Sequence, residues 1–317
     1  MKDKLLRILD NFKGKKILVI GDIMLDKYIF GNVERISPEA PVQVVEVEKE
    51  NYLPGGAANV ANNISALQGN SFMVGIVGKD NSANILIEEL KKRNINTNGI
   101  FIDEEKPTTQ KVRILGQKQQ LLRIDYERRG YLEKKLEVKI IDFIKKKINE
   151  TDALVISDYA KGVITENLMK EIKSIANNKV IIVDPKPKHI NFYKHVSLIT
   201  PNTKEAREMT NKECIEDIGK ELLTKLDSPI LITRGEKGMS LFEKNGNITN
   251  IPAKAKEVYD VSGAGDTVVA TLTLALVSGA TIKEAAIIAN HAAGIKVGKL
   301  GTSTVNIEQI KKELENE

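Results

Sequence analysis

The chain has a single cysteine, Cys214, which excludes an internal disulfide framework and any cysteine-built metal site. Its three histidines, His189, His195 and His291, follow no metal-ligand spacing, so a structural role is the expectation for each. An excess of one charge is also lacking, since 48 Lys and Arg against 43 Asp and Glu leave a formal net charge of +5. That balance is too mild to argue for nucleic acid. Basic residues interleave with acidic ones over stretches such as 132–147, which reads as a solvated helix face. No apolar run reaches the ~18 residues of a membrane span. Lys2, Asp3 and Lys4 are not followed by the apolar core of a signal segment. Internal repeats, low-complexity tracts and long linkers are missing as well. The expectation is a cytoplasmic protein with neither nucleic acid nor membrane as partner.

What is present is the composition of a soluble globular protein, 41% hydrophobic and 29% charged over 317 residues. That length suits two domains or one large α/β unit. Apolar runs at 16–20, 74–77, 153–156, 180–183, 196–199 and 230–233 read as core strands. Helical patterns fall at 57–67, 82–93, 132–147, 166–176, 204–209, 213–226, 264–278, 282–296 and 307–315, and 238–242 with 247–251 reads as an edge hairpin. Alternation of this kind predicts a mainly parallel sheet with helices on both faces and ligands beyond the carboxyl ends of the strands. Two alternating pairs, 28–36 with 42–48 and 108–115 with 120–126, do not fit the alternation. They predict a small antiparallel sheet inserted between core elements, able to act as a lid. The expectation is one domain over 1–317 with lid segments at about 28–48 and 108–126.

The stretch Asp260-Val261-Ser262-Gly263-Ala264-Gly265-Asp266 runs directly into an apolar, Ala-rich segment, 268–277, that reads as a buried helix. Small residues let the backbone turn tightly into the helix, and a helix N-terminus offers unpaired N–H groups and partial positive charge to an anion. Asp266 falls in the first turn, beside any phosphate bound there. A carboxylate in that position suits a general base that takes a proton from a hydroxyl while the N–H groups hold the transferring phosphoryl. The competing reading is a plain helix cap, since Asp is a preferred capping residue.

Other glycine motifs fail on context. The segment 294–299 is one residue short of a P-loop and follows a helix instead of a strand. Gly263-Ala264-Gly265 lacks the third glycine of a dinucleotide fingerprint and the acidic residue on a following strand.

Three motifs in order carry a family resemblance. Gly55-Gly56-Ala57-Ala58-Asn59-Val60-Ala61, continuing to Leu67-Gln68-Gly69, resembles the first signature of ribokinase-like (PfkB) sugar kinases, and Asp260 to Asp266 resembles the second. Asn202-Thr203-Lys204-Glu205 resembles the family's Asn-x-x-Glu motif. Arg35 to Val42, Gln119 to Arg123, Ser157 to Gly162 and Asp184-Pro185-Lys186 are similar to the D-glycero-β-D-manno-heptose 7-phosphate kinase branch. Some members of that branch carry a fused cytidylyltransferase domain. No His-x-Gly-His motif occurs here, so a kinase alone is expected. Val261-Ser262 replaces the usual two Thr, and Val268 a common Phe; both read as packing variation.

The resemblance implies a three-layer α/β/α sandwich with a mainly parallel sheet and a small antiparallel β lid. It implies ATP as co-substrate, Mg²⁺, a monovalent cation as a further candidate, and a homodimer through the lid strands. It implies Asp266 as the base for the sugar's anomeric hydroxyl and the N–H groups of Gly263, Ala264 and Gly265 as the anion hole. Asn202, Thr203, Lys204 and Glu205 fall on the ATP side, Glu205 near the metal directly or through water; a helix cap is the alternative for Asn202 and Glu205. Thr233, Gly235 and Gly238 would line the nucleotide, or form only a turn. On the sugar side stand Asp22, Gly55, Gly56, Asn59 and Asp158, with Asp26 as a further candidate. Lys161, Lys186, Arg113 and Arg123 are candidates for a sugar phosphate, against the plainer reading of surface charges. The expected reaction yields the 1,7-bisphosphate of the heptose. Alternatives are another kinase of this family, acting on a sugar, a sugar phosphate or a nucleoside, and a sensor without catalysis, which would lack the base.

Overall fold

The apolar run at Lys16–Gly21 forms strand β1 in a computed structural model that describes residues 1–317 apart from 118, 177, 255–257, 300–302 and 317. Within β1, Ile17 and Val19 join one hydrophobic cluster and Leu18 and Ile20 join another. Alternate residues of a strand point to opposite faces, so this split means that both faces of the sheet are covered. The first face carries helices α1 (Lys2–Asp10), α2 (Ala57–Ala66), α3 (Asn81–Lys92), α8 (Ala264–Val277), α9 (Ile282–Val297) and α10 (Ile307–Glu315). The second carries α4 (Lys134–Lys147), α5 (Glu166–Ile175), α6 (Thr203–Thr210) and α7 (Ile215–Leu226). Each fully buried Leu or Ile in these layers contributes about 1.5–3 kcal/mol.

The main sheet has the order β13-β12-β11-β10-β9-β8-β1-β4-β5. Strands β4 (Asn70–Gly78), β5 (Asn96–Asp103), β8 (Ala153–Ser157), β9 (Val180–Asp184), β10 (Leu198–Ile199) and β11 (Ile230–Thr233) run parallel to β1. The edge hairpin β12 (Met239–Phe242) and β13 (Ile248–Ile251) is antiparallel, as its alternating sequence predicts. The three-layer α/β/α sandwich is therefore present.

Four features differ from the sequence expectations. Helix α1 is additional; its buried Leu5, Ile8 and Leu9 fall at helical spacing among charged residues that mask the pattern. Strand β5 is additional too, an edge strand whose polar start hides it. The strand expected at 196–199 shortens to Leu198–Ile199. Strands β2 (Ile23–Ile36) and β3 (Gln43–Gly56) are 14 residues each, longer than the expected lid segments, because β2 begins and β3 ends at the core instead of beyond it.

The lid is a four-stranded sheet of order β3-β2-β6-β7, with β6 at Gln110–Gly116 and β7 at Gln119–Tyr126. Its two hairpins are antiparallel, while the central β2–β6 pairing is parallel. Each antiparallel pair joins strands that are consecutive in the chain. No turn joins β2 to β6, and both leave the carboxyl-end edge of the main sheet in the same direction. No helix among the described residues is long and apolar enough to cross a membrane.

Helix α7 packs on β12 at Gly219, where an added Cβ would lie 2.3 Å from the Phe242 ring. Helix propensity alone favours Gly→Ala by about 1 kcal/mol. Overpacking a fully buried ring costs about 1–3 kcal/mol. Gly219→Ala is therefore expected to lower stability in urea denaturation; a raised midpoint would show that Phe242 has room to move.

Candidate active site

Helix α8 is buried from Asp266 to Ala275, so its apolar body is fixed and its N-terminus is held at the carboxyl edge of the sheet. Gly263 is the N-cap, with φ of 77°, a left-handed conformation that glycine adopts without the steric cost of a Cβ. No side chain caps the helix, which removes the plain capping reading of Asp266. Of the three proposed anion-hole N–H groups, that of Ala264 donates to the Val261 carbonyl at 3.2 Å. Gly263 and Gly265 line the adjoining cavity.

Both Asp266 oxygens accept hydrogen bonds. Asn59 Nδ2 donates to Oδ2 at 2.6 Å and Tyr159 Oη donates to Oδ1 at 2.9 Å. Burial raises the Asp266 pKa above the usual carboxylate value, and these two donors pull it part of the way back. Asn59 sits on α2, which starts where β3 ends. An added Cβ on Gly56, at the N-cap of that helix, would lie 2.5 Å from the Asp22 carbonyl, and its φ is 56°. The first signature thus delivers Asn59 to the base by a close backbone crossing.

Tyr159 was not singled out by sequence reasoning, although it lies in the Ser157 to Gly162 motif. Its position follows from two aspartates expected to bind sugar hydroxyls. Asp22 accepts the N–H groups of Tyr159 (2.8 Å), Lys161 (3.0 Å) and Val163 (3.0 Å). Asp158 accepts Ala160 N–H at 2.7 Å, and its Oδ2 meets His189 Nδ1 and Tyr193 Oη at 2.6 Å each. Both side chains are buried and fix the loop after β8 through these contacts, and Asp22 also lines a cavity with Lys106, Thr109 and Lys161. This loop-holding role, which depends on donors that the sequence does not reveal, stands beside the sugar-binding role expected for both.

A cavity of about 150 Å³ opens beside Asp266, lined in part by Tyr159, Asp184, Lys186, Asn202, Glu205 and Thr233. Asn202 and Glu205 form a reciprocal capping box at the start of α6, so the cap reading is geometrically true. It uses only Glu205 Oε2; Oε1 pairs with Lys186. Burial works against the Lys186 ammonium, but the Glu205 and Asp184 carboxylates outweigh it and its pKa is raised. Burial, then the charges of Asp266 and Glu205, push the Asp184 carboxyl well up. Asp184 is a second residue that sequence reasoning quoted without assigning a role. Thr203 Oγ1 donates to the Thr233 carbonyl at 3.2 Å, tying α6 to β11. Lys204 turns outward to Glu208, and Gly235 and Gly238 form a turn outside the cavity lining.

Each expected phosphate-binding cation carries a carboxylate partner: Lys161 with Glu127, Lys186 with Glu205, Arg113 with Asp26 and Arg123 with Asp125. A bound phosphate shares or displaces those partners. Gly55, next to last in β3, lies beside Asp26, whose Oδ2 is 2.5 Å from where a Cβ would stand. Asp184, Glu205 and Asp266 surround the cavity with Lys186 as counter-charge, an all-oxygen donor set of the kind that suits Mg²⁺. Among the described residues no three His, Cys, Asp or Glu side chains converge to chelate a metal directly, so such an ion keeps much of its water.

Residues 14–309 match the family model of pfkB family carbohydrate kinases. The chain is 44% identical over 304 residues to the bifunctional protein HldE of Helicobacter pylori, covering 93% of this chain and 65% of that protein. It is 41% identical over 314 residues to the bifunctional protein HldE of Desulfatibacillum aliphaticivorans, covering 96% and 64%. The chain thus spans slightly less than two thirds of the length of these relatives. Among solved structures, Arabidopsis thaliana ribokinase complexed with ribose and ATP matches at a TM-score of 0.76 and 19% identity, covering 96% and 99% of the two chains. Phosphofructokinase-2 of Escherichia coli in complex with potassium matches at 0.75 and 18%, with the same coverage.

The base geometry predicts two separable effects. Asp266→Asn is expected to lower kcat by at least about 10²-fold with little change in ATP binding, measured by steady-state kinetics and nucleotide titration. Retention of a tenth of the kcat would exclude Asp266 as base. Tyr159→Phe removes a donor that lowers the Asp266 pKa, so the acidic limb of kcat/KM is expected to move to higher pH. An unmoved limb would break the link between the two residues.

Proposed function

The chain belongs to the pfkB family of carbohydrate kinases, and from that premise we propose that it phosphorylates the anomeric hydroxyl of D-glycero-β-D-manno-heptose 7-phosphate with ATP. The observation that carries the chemistry is the Asp266 carboxylate at the N-terminus of α8, raised in pKa by burial and flanked by Gly263 and Gly265. Asp266 takes the proton of the anomeric hydroxyl. The freed oxygen bonds to the γ-phosphorus of ATP, the bond to the β-phosphate oxygen breaks, and ADP leaves. The products are the 1,7-bisphosphate and ADP, with the proton on Asp266. The N–H groups of Gly263 and Gly265 and the Lys186 ammonium stabilise charge on the transferring group.

Glu205 and Asp184 are the residues that would hold Mg²⁺ through water, and the ion when bound neutralises phosphate charge. A monovalent cation is a further candidate cofactor. Asn202, Thr203 and Thr233 take the ATP side, and Asn59, Gly55, Gly56 and Asp26 the sugar side. The heptose 7-phosphate is supported by the motifs at 35–42, 119–123, 157–162 and 184–186 and by the similarity to the HldE proteins. A place in ADP-heptose synthesis for lipopolysaccharide, in the cytoplasm, goes with that substrate. The second activity implied by the word bifunctional is a property of those relatives.

A homodimer through the lid belongs to the same reading. Strand register puts Ile29, Ile114 and Leu122 abreast on one lid face, with Ile124 on the same side. Leu122 is 54% and Ile124 37% exposed, an apolar face that a second copy can cover.

Two measurements test these statements. ADP release is expected to be fastest with heptose 7-phosphate in a panel with heptose, ribose, fructose 6-phosphate and adenosine. Equal rates with heptose and its 7-phosphate would overturn the substrate, and a preference for another member of the panel would reassign it. Sedimentation at micromolar concentration is expected to give a dimer that Leu122→Glu dissociates; a monomeric unaltered protein would refute the lid interface.

A further inference from the structure

The cations of the lid are not equivalent. Lys111 and Arg113 lie on the same side of β6, two residues apart, and Arg123 and Asp125 face them from β7. Register sets Lys111 between Asp26 of β2 on one side and Asp125 of β7 on the other. Neither carboxylate serves it. Asp26 Oδ1 accepts from Arg113 Nη1 at 2.6 Å, and Asp125 accepts from Arg123 Nε and Nη2 at 2.8 and 3.0 Å. Lys161, the next cation toward the core, pairs with Glu127.

Lys111 is half-buried and makes neither an ion pair nor a hydrogen bond among the described residues. Its Nζ lies 5.9 Å from the centre of the Tyr159 ring. Burial lowers its pKa, Asp26 opposes that, and Arg113, Lys161 and Arg123 lower it further. A half-buried ammonium with no carboxylate in contact is costly unless an anion completes it. Tyr159 links that ammonium to the chemistry, because its hydroxyl lies 2.9 Å from Asp266 Oδ1. A substrate lying along the Tyr159 side chain reaches the base with one end and Lys111 with the other. Lys186 flanks the same ring at 5.3 Å, but Glu205 and the nucleotide cavity claim it.

We infer that Lys111 anchors the phosphate of the sugar substrate and sets the preference for a phosphorylated over a free sugar. Arg113 and Arg123 act on it indirectly: by holding Asp26 and Asp125 they leave Lys111 without a carboxylate and surround it with positive charge. The inference rests on the proposed reading of the site as a kinase of a sugar phosphate, and it adds a residue that none of the sequence motifs marked.

The test uses the full chain and the sugar phosphate turned over fastest in the panel above, beside its dephosphorylated form. Lys111→Met is expected to raise KM for the sugar phosphate at least about 30-fold, the lower end for truncating one partner of a buried charge pair. KM for ATP, kcat at saturation and the rate with free sugar should stay within about twofold, and Lys111→Arg should recover most of the lost affinity. If the methionine variant melts early, Lys111→Gln and Lys111→Arg give the same comparison with less apolar change. An unaltered enzyme that does not discriminate the two sugars would overturn the phosphorylated-substrate reading itself. An enzyme that discriminates, with KM unmoved in the Met and Gln variants, would overturn only the role of Lys111. A parallel fall in affinity for sugar phosphate and free sugar would assign Lys111 to lid structure and also refute the inference.

Discussion

Three backbone N–H groups converge on the Asp22 carboxylate, and the geometry of the site depends on that convergence. Asp22 stands just beyond β1, and its donors come from the loop after β8, the neighbouring strand of the sheet. Burial and the Asp158 charge raise its pKa, while the three N–H groups favour the ionised form. Asp158 grips the same loop through Ala160, which has a φ of 54°, outside the range most side chains prefer. Two buried carboxylates thus hold a short, strained loop, and the loop presents Tyr159 to Asp266. Removing either would leave buried donors unpaired at about 1–3 kcal/mol each and release the tyrosine from the base.

Charge placement follows from the same confinement. On the side proposed for the nucleotide, Asp184, Glu205 and Asp266 crowd one cavity with Lys186 among them. That crowding raises the Asp184 pKa and suits a site that receives a cation together with polyphosphate. On the lid side the balance tips toward positive charge, because Asp26 and Asp125 are outnumbered by Lys111, Arg113 and Arg123. Asp266 and Tyr159 lie between the two regions. A substrate with an anionic end and a hydroxyl end matches that polarity, the hydroxyl toward the acidic cavity and its base, the anion toward the lid.

The parallel core was legible because β1, β8 and β9 are continuous apolar runs, buried on both faces, with helical periodicity between them. Helix α1 and strand β5 were not, since each is only half-buried and its polar residues outnumber the apolar signal. The lid was legible as alternating strands, yet its reach down to Ile23 and Gly56 was hidden. Period-2 alternation fades where both faces of β2 become buried next to the core. At the site, the glycines and Asp266 could be read because a tight turn into a helix demands particular residue types at fixed spacing.

Periodic burial and local spacing were enough to read from the chain its three-layer α/β class, the glycine turn into α8 and the candidate base. Which charges are paired depends on contacts between segments distant in the chain. Asp22 and Asp158 read as sugar ligands in the chain; in the fold Asp22 also accepts three N–H groups of the loop after β8, and Asp158 meets the Ala160 N–H and the side chains of His189 and Tyr193. Strand register places Asp26 and Asp125 abreast of Lys111, yet Arg113 and Arg123 are the cations that hydrogen-bond to them. A carboxylate oxygen accepts more than one donor, as Asp22 Oδ2 does from the Tyr159 and Lys161 N–H groups, so its partners are the donors that the fold brings within reach. Which donors those are is set by the packing of segments far apart in the chain.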